Sequence, residues 1–176
     1  MNSTPEDHSL RSRFPGGPGT TRWMESPIGG LRIHASAGLL TAIDFGATNP
    51  RKQRAIDPLL DRAEQQLSEY FAGERTEFDL PLASEGSEFQ KKVWAELQRI
   101  PYGETASYGD IARRLGYEPV ISRAVGAANG ANPIAVFLPC HRVIGADGSL
   151  TGYGGGLELK QALLSLESRE SRLPLG

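Results

Sequence analysis

One cysteine in 176 residues, Cys140, excludes any disulfide within the chain. The three histidines, His8, His34 and His141, stand far apart, and no Cys/His grouping has the spacing of a zinc site. Neither a metal nor another cofactor is expected. A hydrophobic run of membrane-spanning length is missing as well, and residues 1–20 are rich in serine, proline, glycine and charge rather than in the apolar side chains of a signal peptide. This pattern predicts a soluble intracellular protein, cytoplasmic, or nuclear in a eukaryote. The chain also lacks an excess of either charge: 19 basic side chains stand against 21 acidic ones. Bulk charge therefore gives no sign of a nucleic-acid partner. The distribution is less even, because residues 87–142 hold seven basic and five acidic residues while the remainder is acidic. A solvated charged face and a phosphate-binding one account for that equally well.

What is present is ample apolar material, 39% of the chain, in patterns that change along its length. Strands are predicted at 21–25, 31–36 and 39–45; in the second, Leu31, Ile33 and Ala35 alternate with Arg32, His34 and Ser36, the period of a sheet with one buried face. His34 falls on the wet side and receives no role. Asp57-Pro58 then opens a helix, with Leu59, Leu60, Ala63, Leu67, Tyr70 and Phe71 as its apolar stripe. Nothing in this N-terminal unit looks reactive, and its aromatic residues are expected to pack. Residues 84–87 link it to a second unit that starts on the capping box Ser87-Glu88-Phe89-Gln90 and continues through Val93, Trp94, Leu97 and Ile100. Ser107 caps the next predicted helix, and after a short turn residues 120–129 read as another. The pair has the pattern of a helix-turn-helix. The second member is built from small residues around Arg123, which suits close approach by either a packed helix or nucleic acid.

Cys140 lies in Pro139-Cys140-His141-Arg142, where Pro139 ends regular structure just before the thiol. Thiolate is the reactive form, and neighbouring cations favour it, so the sequence predicts a nucleophilic cysteine in an electropositive setting. Successive side chains of an extended segment diverge. His141 therefore needs a bent backbone or a bridging water to serve Cys140. Glu167 follows Leu163 and Leu164 at helical spacing, which puts it on the core-facing side as the candidate that orients His141.

Phe89-Gln90 with Val93-Trp94, Pro101-Tyr102-Gly103-Glu104-Thr105 with Ser107-Tyr108, Arg123-Ala124-Val125-Gly126-Ala127, Asn132-Pro133, Pro139-Cys140-His141-Arg142-Val143-Ile144-Gly145 and Gly152-Tyr153-Gly154-Gly155-Gly156-Leu157 together resemble the O6-alkylguanine-DNA alkyltransferases. The resemblance is strong over residues 87–167 and less specific over 23–45. It implies that Cys140 takes the alkyl group from O6 of a flipped guanine, with O4-alkylthymine a further candidate lesion. His141 would deprotonate Cys140 through a water, and Glu167 would orient His141. Tyr108 would meet the flipped base and its phosphate, Arg123 would fill the gap in the duplex, and Asn132 would brace the recognition helix against the active-site loop. Tyr153 and Gly154 would wall the guanine pocket, while Gln90, Gly109 and Arg142 join the substrate- and DNA-binding set. Gly154 departs from the serine or alanine common in relatives.

The fold expected is α/β: a small N-terminal antiparallel sheet-plus-helix domain (21–83), then a mostly helical domain with a helix-turn-helix and active-site loop (84–170). A disordered leader (1–20) and a tail (171–176) flank them. The partner implied is double-stranded DNA bearing O6-alkylguanine, met by a monomer, with cooperative binding on DNA left open, and without membrane association. Two other readings fit the residues alone. A cysteine hydrolase using Cys140, His141 and Asn132 would turn over repeatedly, and a lesion sensor would bind and flip without chemistry.

Overall fold

The computed structural model describes residues 19–83, 85–153 and 155–172, with side chains as far as Ser168. The expected leader up to residue 18, the expected tail beyond Arg172, and Gly154 lie outside the described residues.

Alternation of apolar and polar side chains produces an antiparallel sheet of β1 (Thr20–Met24), β2 (Leu31–Ser36) and β3 (Leu39–Phe45), in that spatial order. Leu31, Ile33 and Ala35 form its buried stripe. The β2–β3 hairpin turns on Ala37 and Gly38, both with positive φ, the backbone that matches the twist of a tight hairpin. Asp57 accepts hydrogen bonds from the amides of Leu59 and Leu60 and starts α1 (Pro58–Phe71). The predicted stripe of α1 lays Leu60, Ala63, Leu67 and Tyr70 against the sheet. Each fully buried leucine among them contributes roughly 1.5–3 kcal/mol of apolar burial.

The edge of β3 carries the junction between the two units. The Leu40 amide donates to the Pro81 carbonyl (2.9 Å), the Ala83 amide donates to Leu40 (2.8 Å), and the Ile43 amide donates to Pro133 (3.0 Å). The N-terminal sheet is thereby tied directly to the segment preceding Cys140. Apolar burial is continuous across the junction, running from Leu31 and Tyr70 to Val93, Ile111 and Leu163.

In the second unit the capping box of Ser87 and Gln90 starts α2 (Glu88–Leu97). A second capping box, Ser107 with Asp110, starts α3 (Tyr108–Arg114). The helix expected at 120–129 is divided: Pro119–Ile121 form a 3-10 turn, and α4 begins at Ser122 and runs to Gly130. Pro119 initiates that single tight turn, which swings the chain from the end of α3 into α4. Trp94 of α2 donates from its indole nitrogen to the Ala128 carbonyl (2.9 Å), anchoring α4 from behind. The cysteine segment is a 3-10 turn over Cys140–Arg142 rather than a strand. It leads into β5 (Val143–Ile144), which pairs in parallel with β4 (Ala106–Ser107). The last helix, α5 (Leu157–Arg172), closes the core with Leu163.

Candidate active site

The turn at Cys140–Arg142 bends the backbone at the thiol and the imidazole, and both side chains are buried. Two asparagines hold the approach to this turn. Asn132 donates to the Leu138 carbonyl (2.9 Å) and accepts from the Ile134 amide (2.9 Å). Asn129, on α4, donates to the carbonyl of Cys140 itself (3.3 Å). Between Asn132 and Cys140 in the chain, Val136 adopts φ 74°, a left-handed conformation unfavourable for a β-branched residue. Such a conformation costs on the order of 1–3 kcal/mol and persists where surrounding contacts over-determine it.

Beneath the thiol lies a chain of charged and polar groups. His141 Nε2 bonds Glu167 Oε2 at 2.6 Å, Arg142 Nε donates to Glu167 Oε1 at 2.5 Å, and the Tyr70 hydroxyl donates to Oε2 at 3.2 Å. Glu167 is 1% exposed and His141 0%. The Nε2 bond to Glu167 leaves Nδ1, buried and without a protein partner, as the ring atom free to take a proton. Burial pushes the Glu167 carboxyl upward, but hydrogen bonds and charge from His141 and Arg142 outweigh it and hold the group below its ordinary range. Burial also holds the imidazole below its ordinary value, against the pull of Glu167, which keeps it neutral and able to act as a base.

The thiol does not match the electropositive setting expected. Burial pushes Cys140 up to about 11, against the opposing influence of a hydrogen bond from Asn132 and the charge of Lys160. Arg142 supplies no such help, since its guanidinium is spent on Glu167 and on the Ile100 carbonyl (2.7 Å) and lies over the Tyr102 ring. Its expected place at the DNA is corrected by the same contacts: Arg142 is buried and points inward. The cation that acts on the thiol is Lys160, fully buried and donating to the carbonyls of Val143 (2.6 Å) and Thr151 (2.8 Å). Sequence reasoning missed Lys160 and Tyr70. Lys160 stands three residues before Leu163 and seven before Glu167, on the same buried face of α5, and that spacing was the available signal.

Cys140 opens on a cleft of about 360 Å³ bordered by Asn129, Asn132, Ala135, Tyr153 and Gly155, with Phe45 of β3 at its edge. Phe45 packs against Tyr153, ring centroids 6.0 Å apart, and a Cβ on Gly155 would come within 3.0 Å of Phe45 and Leu159. Tyr108 bonds Thr151 on the loop that carries Tyr153 and lies beside Gly126. Gly109, in the first turn of α3, comes close to Ser122 of α4. Gln90 is spent in its capping box, accepting from the Ser87 amide, and is not among the groups around Cys140. On α4, Val125, Ala128 and Asn129 are buried, whereas Arg123, Ala124, Ala127 and Gly130 are exposed. Ala124 and Ala127 therefore face solvent, while Ala128 packs inward and Gly126 lies beside Tyr108 of α3.

A buried thiol, a histidine-carboxylate pair below it and a helix-turn-helix beside its cleft define a DNA-directed cysteine group-acceptor. Family models agree. Residues 88–169 match the DNA binding domain of 6-O-methylguanine DNA methyltransferase, and residues 21–84 match that family's ribonuclease-like domain. The methylated-DNA–protein-cysteine methyltransferase of Mycolicibacterium paratuberculosis is 53% identical over 154 residues, covering 85% of this chain and 93% of its own. That of Methanosarcina acetivorans is 49% identical over 150 residues, covering 82% and 95%. The crystal structure of Mycobacterium tuberculosis OGT in complex with DNA is similar at a TM-score of 0.76 and 50% identity, over 85% of this chain and 93% of that one. The chain belongs to the 6-O-methylguanine DNA methyltransferase family.

Proposed function

We propose that the protein repairs DNA by direct reversal, moving an alkyl group from O6 of guanine to Cys140 Sγ. It is a methylated-DNA–protein-cysteine methyltransferase, and DNA is its partner. In the step, the Cys140 proton passes to His141 Nδ1 through one water, sulfur attacks the alkyl carbon, and the carbon–O6 bond breaks. A thioether and a guanine anion result; the base takes a proton at N1 from solvent, and the His141 imidazolium later releases its proton to solvent. Glu167 stabilises the imidazolium that forms, which offsets the cost of charging a buried ring. Because Cys140 is raised to about 11, the resting thiol stays protonated, and transfer depends on this base. A thioether has no good leaving group, so each chain acts once.

A guanine stacked in a duplex cannot present O6 in line to a buried thiol, so the base must enter the cleft, and an alkylated base that pairs poorly is cheaper to extrude. The exposed face of α4, small apart from Arg123, suits insertion into a groove, with Arg123 occupying the space the base leaves. Asn132 and Asn129 couple that helix to the thiol turn. Residues 21–83 serve as a supporting domain and 84–170 as the transferase domain, a division that the family matches at 21–84 and 88–169 support. We place the protein, as a monomer, in the cytoplasm, or in the nucleus of a eukaryote. No helix among the described residues is long and apolar enough to cross a membrane.

The observation that carries this reading is the buried Cys140, His141 and Glu167 series under a cleft flanked by α4. Intact-mass measurement after mixing with duplex DNA containing O6-methylguanine tests it. One methyl group per chain, located on Cys140 and absent in Cys140→Ala with DNA binding retained, is expected. Many product molecules per chain would instead establish a hydrolase.

A further inference from the structure

We propose that Tyr70, from the N-terminal unit, is a positioning residue for the transfer reaction: its hydroxyl fixes the Glu167 carboxylate and, through it, the orientation of His141. This rests on the reading of Cys140 as the alkyl acceptor. Tyr70 lies 97 residues from Glu167 in sequence and reaches it from the last turn of α1. Its ring is fully buried, 5.3 Å from Phe71, 5.3 Å from Phe78 and 6.2 Å from Tyr102 between centroids. A phenylalanine would fill that apolar space equally. Burying the hydroxyl is costly without a partner, and its partner is the carboxylate that faces His141.

The division of acceptors gives the bond its role. Arg142 Nε sits chiefly on Oε1 (2.5 Å) with a longer bond to Oε2 (3.4 Å), while Tyr70 and His141 both bond Oε2. Donors on both oxygens set the plane of the carboxylate, and that plane sets the tilt of the imidazole and the direction of Nδ1. Burial and the Glu167 charge raise the phenol far above its ordinary range, so Tyr70 acts only as a donor. The charged or titratable groups around His141 are Glu167, Arg142, Lys160, Cys140 and the Tyr70 hydroxyl. Losing the hydroxyl leaves Oε2 more basic, which favours the imidazolium and moves the His141 titration upward.

Tyr70→Phe keeps the ring and removes only the donor. By NMR, the His141 titration in this variant should rise by about half a pH unit. Single-turnover transfer from an O6-methylguanine duplex should slow about fivefold, with DNA affinity unchanged. Phe71→Leu, which disturbs the same aromatic cluster without touching Glu167, should lower the Tm and move neither readout. An unmoved titration, an unchanged rate, or the same shift in Phe71→Leu would overturn the proposal. Failure of the wild type to transfer a methyl group would count against the proposed function instead, and the titration alone would then decide whether Tyr70 holds the Glu167–His141 pair.

Discussion

The buried groups around Cys140 and the exposed face of α4 are built on opposite plans. Around the thiol the charged groups and the asparagine amides are held: Glu167 accepts from three side chains, Lys160 donates to two carbonyls, and Asn132 and Asn129 pin the turn. On α4 the outward side chains are Arg123, Ala124 and Ala127, and no ion pair engages Arg123 among the described residues. The difference separates two tasks. Proton transfer needs donors and acceptors fixed before substrate arrives, because reorganising them in the transition state would cost rate. Strand handling needs a long cation that finds its partner only in opened DNA.

The sharpest way to break this comparison is at Glu167. Glu167→Gln should slow methyl transfer by a factor on the order of a hundred, because the imidazolium loses its counter-charge, while DNA affinity stays near wild type. Stopped-flow transfer and DNA titration check both halves. Lys160→Met should have a smaller effect, about tenfold slower transfer, since the charge that opposes the upward shift of Cys140 is gone. The same variant leaves the Val143 and Thr151 carbonyls without their donor and should lower stability by about 1–3 kcal/mol in denaturant unfolding.

Acid should produce the mildest change. Burial holds His141 below its ordinary value, and its partners hold Glu167 below, so the unfolded chain binds more protons than the native one on acidification. Their contribution to stability is fully present above about pH 6.5 and is lost as pH falls through the histidine and then the carboxylate range. Denaturant midpoints between pH 7.5 and about 4 should decline accordingly, and Glu167→Gln should steepen the part in the histidine range, because the carboxylate that pulls the His141 titration upward against burial is gone.

Much of the fold was legible because it is written in local patterns. Alternation marked β2, and the capping residues Asp57, Ser87 and Ser107 marked three helix starts. Helical spacing put Glu167 on the core-facing side, and the family resemblance gave it its role beside His141. What escaped depends on partners distant in sequence. Tyr70 reads as one more apolar position on α1, and only tertiary packing brings its oxygen to Glu167. Counting charges beside Cys140 overvalued Arg142, since a cation adjacent in sequence was already neutralised by a carboxylate 25 residues away. Lys160 was passed over because a lysine in a helix is ordinarily a surface residue. The break between Ile121 and Ser122 was hidden by a run of residues that all tolerate helix.

The most direct test of the separation between held chemistry and free strand handling compares Arg123→Ala with Glu167→Gln on two substrates, an O6-methylguanine duplex and the free O6-alkylguanine base. Transfer to Cys140 should slow in Arg123→Ala by about tenfold or more on the duplex and hardly at all on the free base, which needs no extrusion. Glu167→Gln should slow both by the same factor. Equal losses on the two substrates in Arg123→Ala would show that Arg123 supports the fold or the thiol, and would contradict the account.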